Sequence, residues 1–218
     1  MVPALPRLLR LLPALSLLWL YATAASSATL TMRLTDQDGN AVEDAVLYIT
    51  TIDGKQAAPA PMQASVDQVD ERFVPHVRAI TSGSSVSFPN SDHIRHHVYS
   101  FSEARTFELP LYIGIPAEPL VFDKAGLVTL GCNIHDHMLG YVLVLDTPYF
   151  AEVAAGSATI SDLPTGKWAV EVWHPRLAQE TALHLTVDAT ADTTLQQQLE
   201  LRPERMVRRA PRRGGSRY

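Results

Sequence analysis

A thiol, two imidazoles and a thioether fall within seven consecutive positions of this chain. They lie in the run Gly131-Cys132-Asn133-Ile134-His135-Asp136-His137-Met138-Leu139-Gly140. Thiolate and thioether are soft ligands, and together with imidazole they suit copper in both of its oxidation states. A type 1 copper centre takes two imidazoles, one thiolate and a weak axial thioether. Cys132, His135 and Met138 supply three of the four. The second imidazole must come from elsewhere, and His93, His96 and His97 stand upstream at the start of a strand-like stretch. His137 is an alternative ligand or a solvated loop residue. The pair His135-x-His137 also occurs in oxidases with several coppers, but those need several such pairs and this chain has the one. Zinc accepts Cys and His, yet Met is a poor zinc ligand. Asp92 and Asp136 are placed to orient ligand imidazoles or to be solvated loop carboxylates. His76, His174 and His184 carry no assigned chemistry and read as structural or exposed.

The elements around these residues are strands. Leu30, Met32 and Leu34 alternate with polar residues, Asp38-Gly39-Asn40 reads as a turn, and residues 45–49 are a second apolar strand. Residues 53–65, rich in Gly, Pro and Ala, read as a linker. A second series of short strands runs from Ala64 to Asp146, and residues 127–130 and 141–145 flank the Cys-His-Met run as a tight loop. A third series spans 157–201, with Trp168, Val170 and Val172 on one face and Ala169, Glu171 and Trp173 on the other. Trp168 is expected in the core and Trp173 at the surface. Close-spaced strands with few helical stretches predict an all-β protein.

The leader and the charge distribution bound the compartment and the partners. Arg7 and Arg10 precede an apolar run from Leu11 to Tyr21, and small residues follow, with Ala24 or Ala28 as the cleavage point. Residues 1–28 therefore read as an export signal, leaving no stable membrane span after cleavage. Cys132 is the only cysteine. In an exported chain it must be free, joined to another chain or bound to something. Residues 29–201 hold 9 Lys+Arg against 22 Asp+Glu, a net of −13; residues 202–218 hold seven Arg and one Glu, a net of +6. The acidic body excludes nucleic acid as the main partner. The tail reads as disordered, with an anionic lipid or acidic partner as the alternative.

The loop and its flanks resemble the cupredoxin family, in the manner of plastocyanin, pseudoazurin and amicyanin. Its Cys-x2-His-x2-Met spacing is most similar to amicyanin. The lead-in Phe73-Val74-Pro75, Gly83, Val86, Phe88 and Asn90 resembles the N-terminal half of the family. The resemblance covers about residues 64–150 and implies a Greek-key β-sandwich with one type 1 copper ion on His96, Cys132, His135 and Met138. His96 is preferred because the family's His-Asn-Val is matched by His96-His97-Val98. His97 then stands where the family has an Asn that braces the ligand loops, a departure from the pattern. Asp36 to Tyr48 and Ala158 to Val172 resemble a different module, the carboxypeptidase regulatory-like (prealbumin-like) β-sandwich. Residues 29–52 plus 153–201 would together form it, with the cupredoxin domain inserted, an arrangement that requires strands 30–34 and 168–173 to lie in one sheet. The whole arrangement also resembles bacterial proteins labelled methylamine utilisation proteins.

These resemblances imply a periplasmic, non-enzymatic carrier of single electrons between redox protein partners. A copper carrier, store or sensor is the rival expectation. A structural β-module with a vestigial site is the third.

Overall fold

The computed structural model describes residues 27–116, 118–179 and 181–204. Most of the expected leader and most of the basic tail therefore lie outside the described residues. The first strands are β1 (Ser27–Asp36), β2 (Val46–Ile52), β3 (Gln63–Ser65), β4 (Asp67–Gln68), β5 (Phe73–Val74) and β6 (Val77–Thr81). There follow β7 (Ser84–Ser87), β8 (His96–Ser102), β9 (Arg105–Tyr112), β10 (Leu120–Phe122), β11 (Gly126–Gly131) and β12 (Leu139–Leu145). The chain continues with β13 (Phe150–Glu152), β14 (Ser157–Pro164), β15 (Gly166–Trp173), β16 (Leu183–Ala189) and β17 (Thr193–Leu199). The protein is all-β, and no helix among the described residues is long and apolar enough to cross a membrane.

One hydrophobic core draws on two distant stretches of chain. Leu30, Met32, Leu34, Leu47 and Ile49 pack with Ile160, Leu163, Trp168, Val170, Val172 and Leu199. The sheet β14-β1-β17 covers one side and the sheet β13-β2-β15-β16 the other. Strands 30–34 and 168–173 thus lie in opposite sheets, against the expectation that they share one. Alternation decides which face a strand buries and is silent about its neighbours. Ser27 and Ala28, read as the end of the leader, are part of β1, where they pair with Pro164 and Leu163. Of the two cleavage points considered, Ala24 alone leaves this strand whole.

A second core, Val66, Phe73, Ile80, Val86, Phe88, Val98, Phe122, Val128, Leu130, Val142 and Val144, also includes Cys132 and Met138. It lies between β10-β7-β3 and the five-stranded sheet β6-β12-β11-β8-β9. β3 falls within the stretch 53–65 read as a linker, and it pairs in parallel with β7.

A third cluster, Val46, Tyr48, Val77, Ala79, Leu143, Leu145 and Trp173, joins the two units. Trp173, expected at the surface, is buried there because its outward face meets β6 and β12 rather than water. Polar contacts cross the same junction. Asp44 meets His76 at 2.7 Å, and Glu152 accepts from the Ala79 amide at 2.8 Å while facing Arg78 at 3.3 Å. His174, buried nearby, has its pKa pushed down to about 4 by burial first and then by Arg176.

Candidate metal centre

β11 and β12 form an antiparallel hairpin in register from Gly126↔Val144 to Gly131↔Leu139. Residues 132–138 are its loop, closed by the Met138 amide donating to the His135 carbonyl at 2.9 Å. Gly131 also pairs with Tyr99 of β8, so the hairpin end lies beside the first residues of that strand. The close approach explains the glycine: a Cβ at position 131 would stand 2.7 Å from Tyr99 Cζ. β8 opens at His96, and its pairing with β9 slips between His96 and Val98. Such a bulge re-aims a side chain, and here it turns a buried imidazole towards the hairpin loop.

The ligating atoms of His96, Cys132 and His135 all lie within 4.8 Å of one another. His96 Nδ1 and His135 Nδ1 are 3.2 Å apart, Cys132 Sγ is 3.9 Å from His96 Nδ1, and it is 3.8 Å from His135 Nδ1. A triangle with those edges has its circumcentre about 2.1 Å from every corner, within the range of metal–imidazole bonds and close to metal–thiolate ones. The donor set therefore fits one metal ion in a trigonal arrangement. Met138, 1% exposed, packs in the same core cluster as Cys132. His96 and Cys132 are buried, and His135 is partly exposed.

The surroundings set the tautomer of His96 and favour the neutral form of His135. His96 Nε2 is 2.6 Å from Asp92 Oδ2. A carboxylate there fixes the proton on Nε2 and leaves the Nδ1 lone pair facing the centre. Burial alone would raise the Asp92 pKa, but the Glu71 amide, His96 and the Asp70 amide together hold it below the usual carboxylate value. His135 is pushed down, by burial first and then by the neighbouring His96, so its imidazole is favoured neutral. The loop bearing Asp92 is tied by buried Asn90, which donates to the Ile94 and Tyr112 carbonyls at 2.9 and 2.8 Å and accepts from the Asp92 amide at 3.0 Å. Tyr112 in turn donates to the Phe88 carbonyl, and burial pushes its phenol up to about 12.

The other candidates sit outside the triangle. His97 points to the far side of β8, with Nε2 2.9 Å from Glu108. Asp136 is exposed on the loop. His137, considered either as a ligand or as a solvated residue, instead brings Nε2 to 3.2 Å from Glu71. That contact has ion-pair distance but lacks hydrogen-bond alignment, since the same nitrogen has no hydrogen-bond partner. His76 and His174 belong to the junction, and His184 faces Glu171 at 3.2 Å. Glu71 carries no spacing signal that ties it to a metal loop, and Asn90, noted in the sequence as part of the resemblance, was given no role at the site.

No family model matches this chain, and no curated protein does. Solved structures do match parts of it. The Cu-containing nitrite reductase of Thermus scotoductus SA-01 is 26% identical over 42% of the chain, with a TM-score of 0.36. The chain spans 24% of that reductase. A purple cupredoxin from Nitrosopumilus maritimus is 20% identical over 38% of the chain and 99% of its own length, with a TM-score of 0.34. A reduced Cu(I) form of an amicyanin mutant is 21% identical over 45% of the chain and 98% of its own, with a TM-score of 0.35. These likenesses concern the fold of part of the chain.

Proposed function

We propose that the chain is an exported type 1 copper protein of the cupredoxin kind that carries single electrons between redox protein partners. The observation that carries this reading is the triangle of two imidazole nitrogens and one sulfur, with edges of 3.2, 3.8 and 3.9 Å. In this reading His96, Cys132 and His135 would hold one copper ion, with Met138 as a further, weaker ligand. Copper bound in this way exchanges one electron between its two oxidation states.

The chain's own residues do the rest. Asp92 keeps the His96 proton away from the centre. The buried flanks of His96, Cys132 and Met138 exclude water. Strands on both sides of the loop fix the donor atoms, so little rearrangement accompanies a change of charge. His135 is the ligand with a solvent-facing edge, and Ile134 and Leu139 beside it are 49% and 43% exposed. An apolar rim of that kind suits brief contact with a protein partner. The core shared by β1, β2 and β14–β17 forms a second sandwich that the copper unit interrupts between β2 and β13; a regulatory-like reading of it required strands 30–34 and 168–173 in one sheet, and they face each other from two.

Cycling the copper-loaded protein through repeated reduction and oxidation in the presence of a strong copper chelator tests the assignment. An electron carrier retains its metal over many cycles. Rapid loss to the chelator would instead make the protein a copper carrier, and absence of copper uptake would leave a structural module.

A further inference from the structure

The turn between β4 and β5 touches both halves of the metal centre. Val69 and Arg72 exchange backbone hydrogen bonds at 3.0 and 3.1 Å, and the two residues between them, Asp70 and Glu71, have φ of 51° and 56°. Two successive left-handed residues form a tight hairpin turn that ordinarily selects Asn and Gly. Neither residue here is glycine, and strained backbone of this type persists where surrounding contacts over-determine it.

Those contacts are specific. Asp92 Oδ1 accepts from the Asp70 amide at 2.6 Å, and Asp92 Oδ2 accepts from the Glu71 amide at 2.9 Å. The same Oδ2 holds His96. The Glu71 carboxylate then reaches 3.2 Å from His137 Nε2, and the His137 ring stands 5.8 Å from the His135 ring, edge to face. Immediately after the turn, Phe73 lies against Gly140, where a Cβ would come within 2.8 Å of Phe73 Cβ. One short stretch therefore meets the loop of the upstream imidazole, the loop of the thiolate and the strand that follows it.

We infer that the 69–72 turn is a clamp joining the two ligand-bearing segments, with Glu71 as a positioning residue that acts on the metal loop through His137. Asp92 anchors the turn on the His96 side, and the Glu71 carboxylate anchors it on the Cys132–Met138 side. The Glu71 and His137 side chains are 33% and 20% exposed, so their 3.2 Å contact is partly screened by solvent. Its effect is local order of the loop rather than stability of the whole chain.

The inference rests on the copper reading for its consequence, while the clamp itself is measurable without metal. Amide hydrogen exchange is followed in the metal-free protein, in Glu71→Gln, in Glu71→Ala and in Glu71→Ala combined with His137→Ala. Glu71→Ala is expected to speed exchange across residues 132–138 by about three- to tenfold, with the strands of the first core unchanged. Glu71→Gln should recover part of the protection. The double variant should match the single one, because both substitutions remove the same contact. Copper release to a chelator should quicken by a comparable factor, and the reduction potential should shift. Unchanged loop exchange in Glu71→Ala, or additive effects in the double variant, would overturn the clamp. A wild-type protein that takes up no copper would sink the copper reading alone, and the exchange data would still decide the clamp. If Glu71→Ala lowers overall stability, the comparison rests on Glu71→Gln.

Discussion

Replacing Asp92 by Asn tests how the chain controls the proton on its upstream imidazole. Asp92 accepts from His96 Nε2 at 2.6 Å, from the Asp70 amide at 2.6 Å and from the Glu71 amide at 2.9 Å, with one oxygen serving two of these donors. An amide of the same shape offers one oxygen and one NH2. If the oxygen faces His96 and Glu71, the NH2 opposes the Asp70 amide, and a hydrogen bond worth about 1–3 kcal/mol is lost. If the NH2 faces His96, the imidazole must accept at Nε2, and its proton moves to Nδ1. That nitrogen lies 3.2 Å from His135 Nδ1 and 3.9 Å from Cys132 Sγ, where the metal would bind. Metal affinity should then fall by about 10–100-fold, the usual effect of removing a partner that orients a ligand histidine. Competition with a chromophoric chelator measures the affinity, and nitrogen NMR of the metal-free protein reads the tautomer. Unchanged affinity, an unchanged His96 tautomer and unchanged stability together would refute the reasoning.

Three further outcomes follow from separate parts of the molecule. His96→Ala should weaken copper binding at least about tenfold more than His97→Ala, because His97 faces Glu108 on the outer side of β8; equal losses in a copper titration would reassign the ligand. Gly140→Ala should destabilise the second core by about 1–3 kcal/mol, since its methyl would meet the buried Phe73 backbone end rather than a movable side-chain tip; chemical denaturation showing no loss would contradict that packing. The third concerns the junction at His174, whose folded pKa of about 4 lies below the ordinary 6.5. A depressed pKa contributes no penalty above the unfolded value, and stability then declines as pH falls from about 6.5 towards 4. His174→Asn, which keeps an acceptor for the Arg176 amide, should flatten that decline in thermal melts across the window.

Much of the fold was legible because burial leaves a period-two trace. Leu30, Met32 and Leu34, and again Trp168, Val170 and Val172, are buried as their alternation requires. The approach of Cys132 and His135 was legible for another reason, since soft donors at close spacing between two strands restrict the chemistry. Sheet membership was not legible. Strands 30–34 and 168–173 bury their faces in the same core from opposite sides, and nothing in either stretch distinguishes a neighbour from a facing partner. The burial of Trp173 depends on β6 and β12 docking against its sheet. Glu71 escaped notice because its link to His137 is made by tertiary packing between residues distant in sequence.

The absorption spectrum of the protein loaded with Cu(II), recorded beside Cys132→Ser, is the most direct test of the metal centre. Thiolate coordination in a trigonal site predicts an intense visible charge-transfer band in the native protein and its loss in the folded variant. A native protein that binds Cu(II) without that band, or a band that survives the loss of the sulfur, would contradict the account.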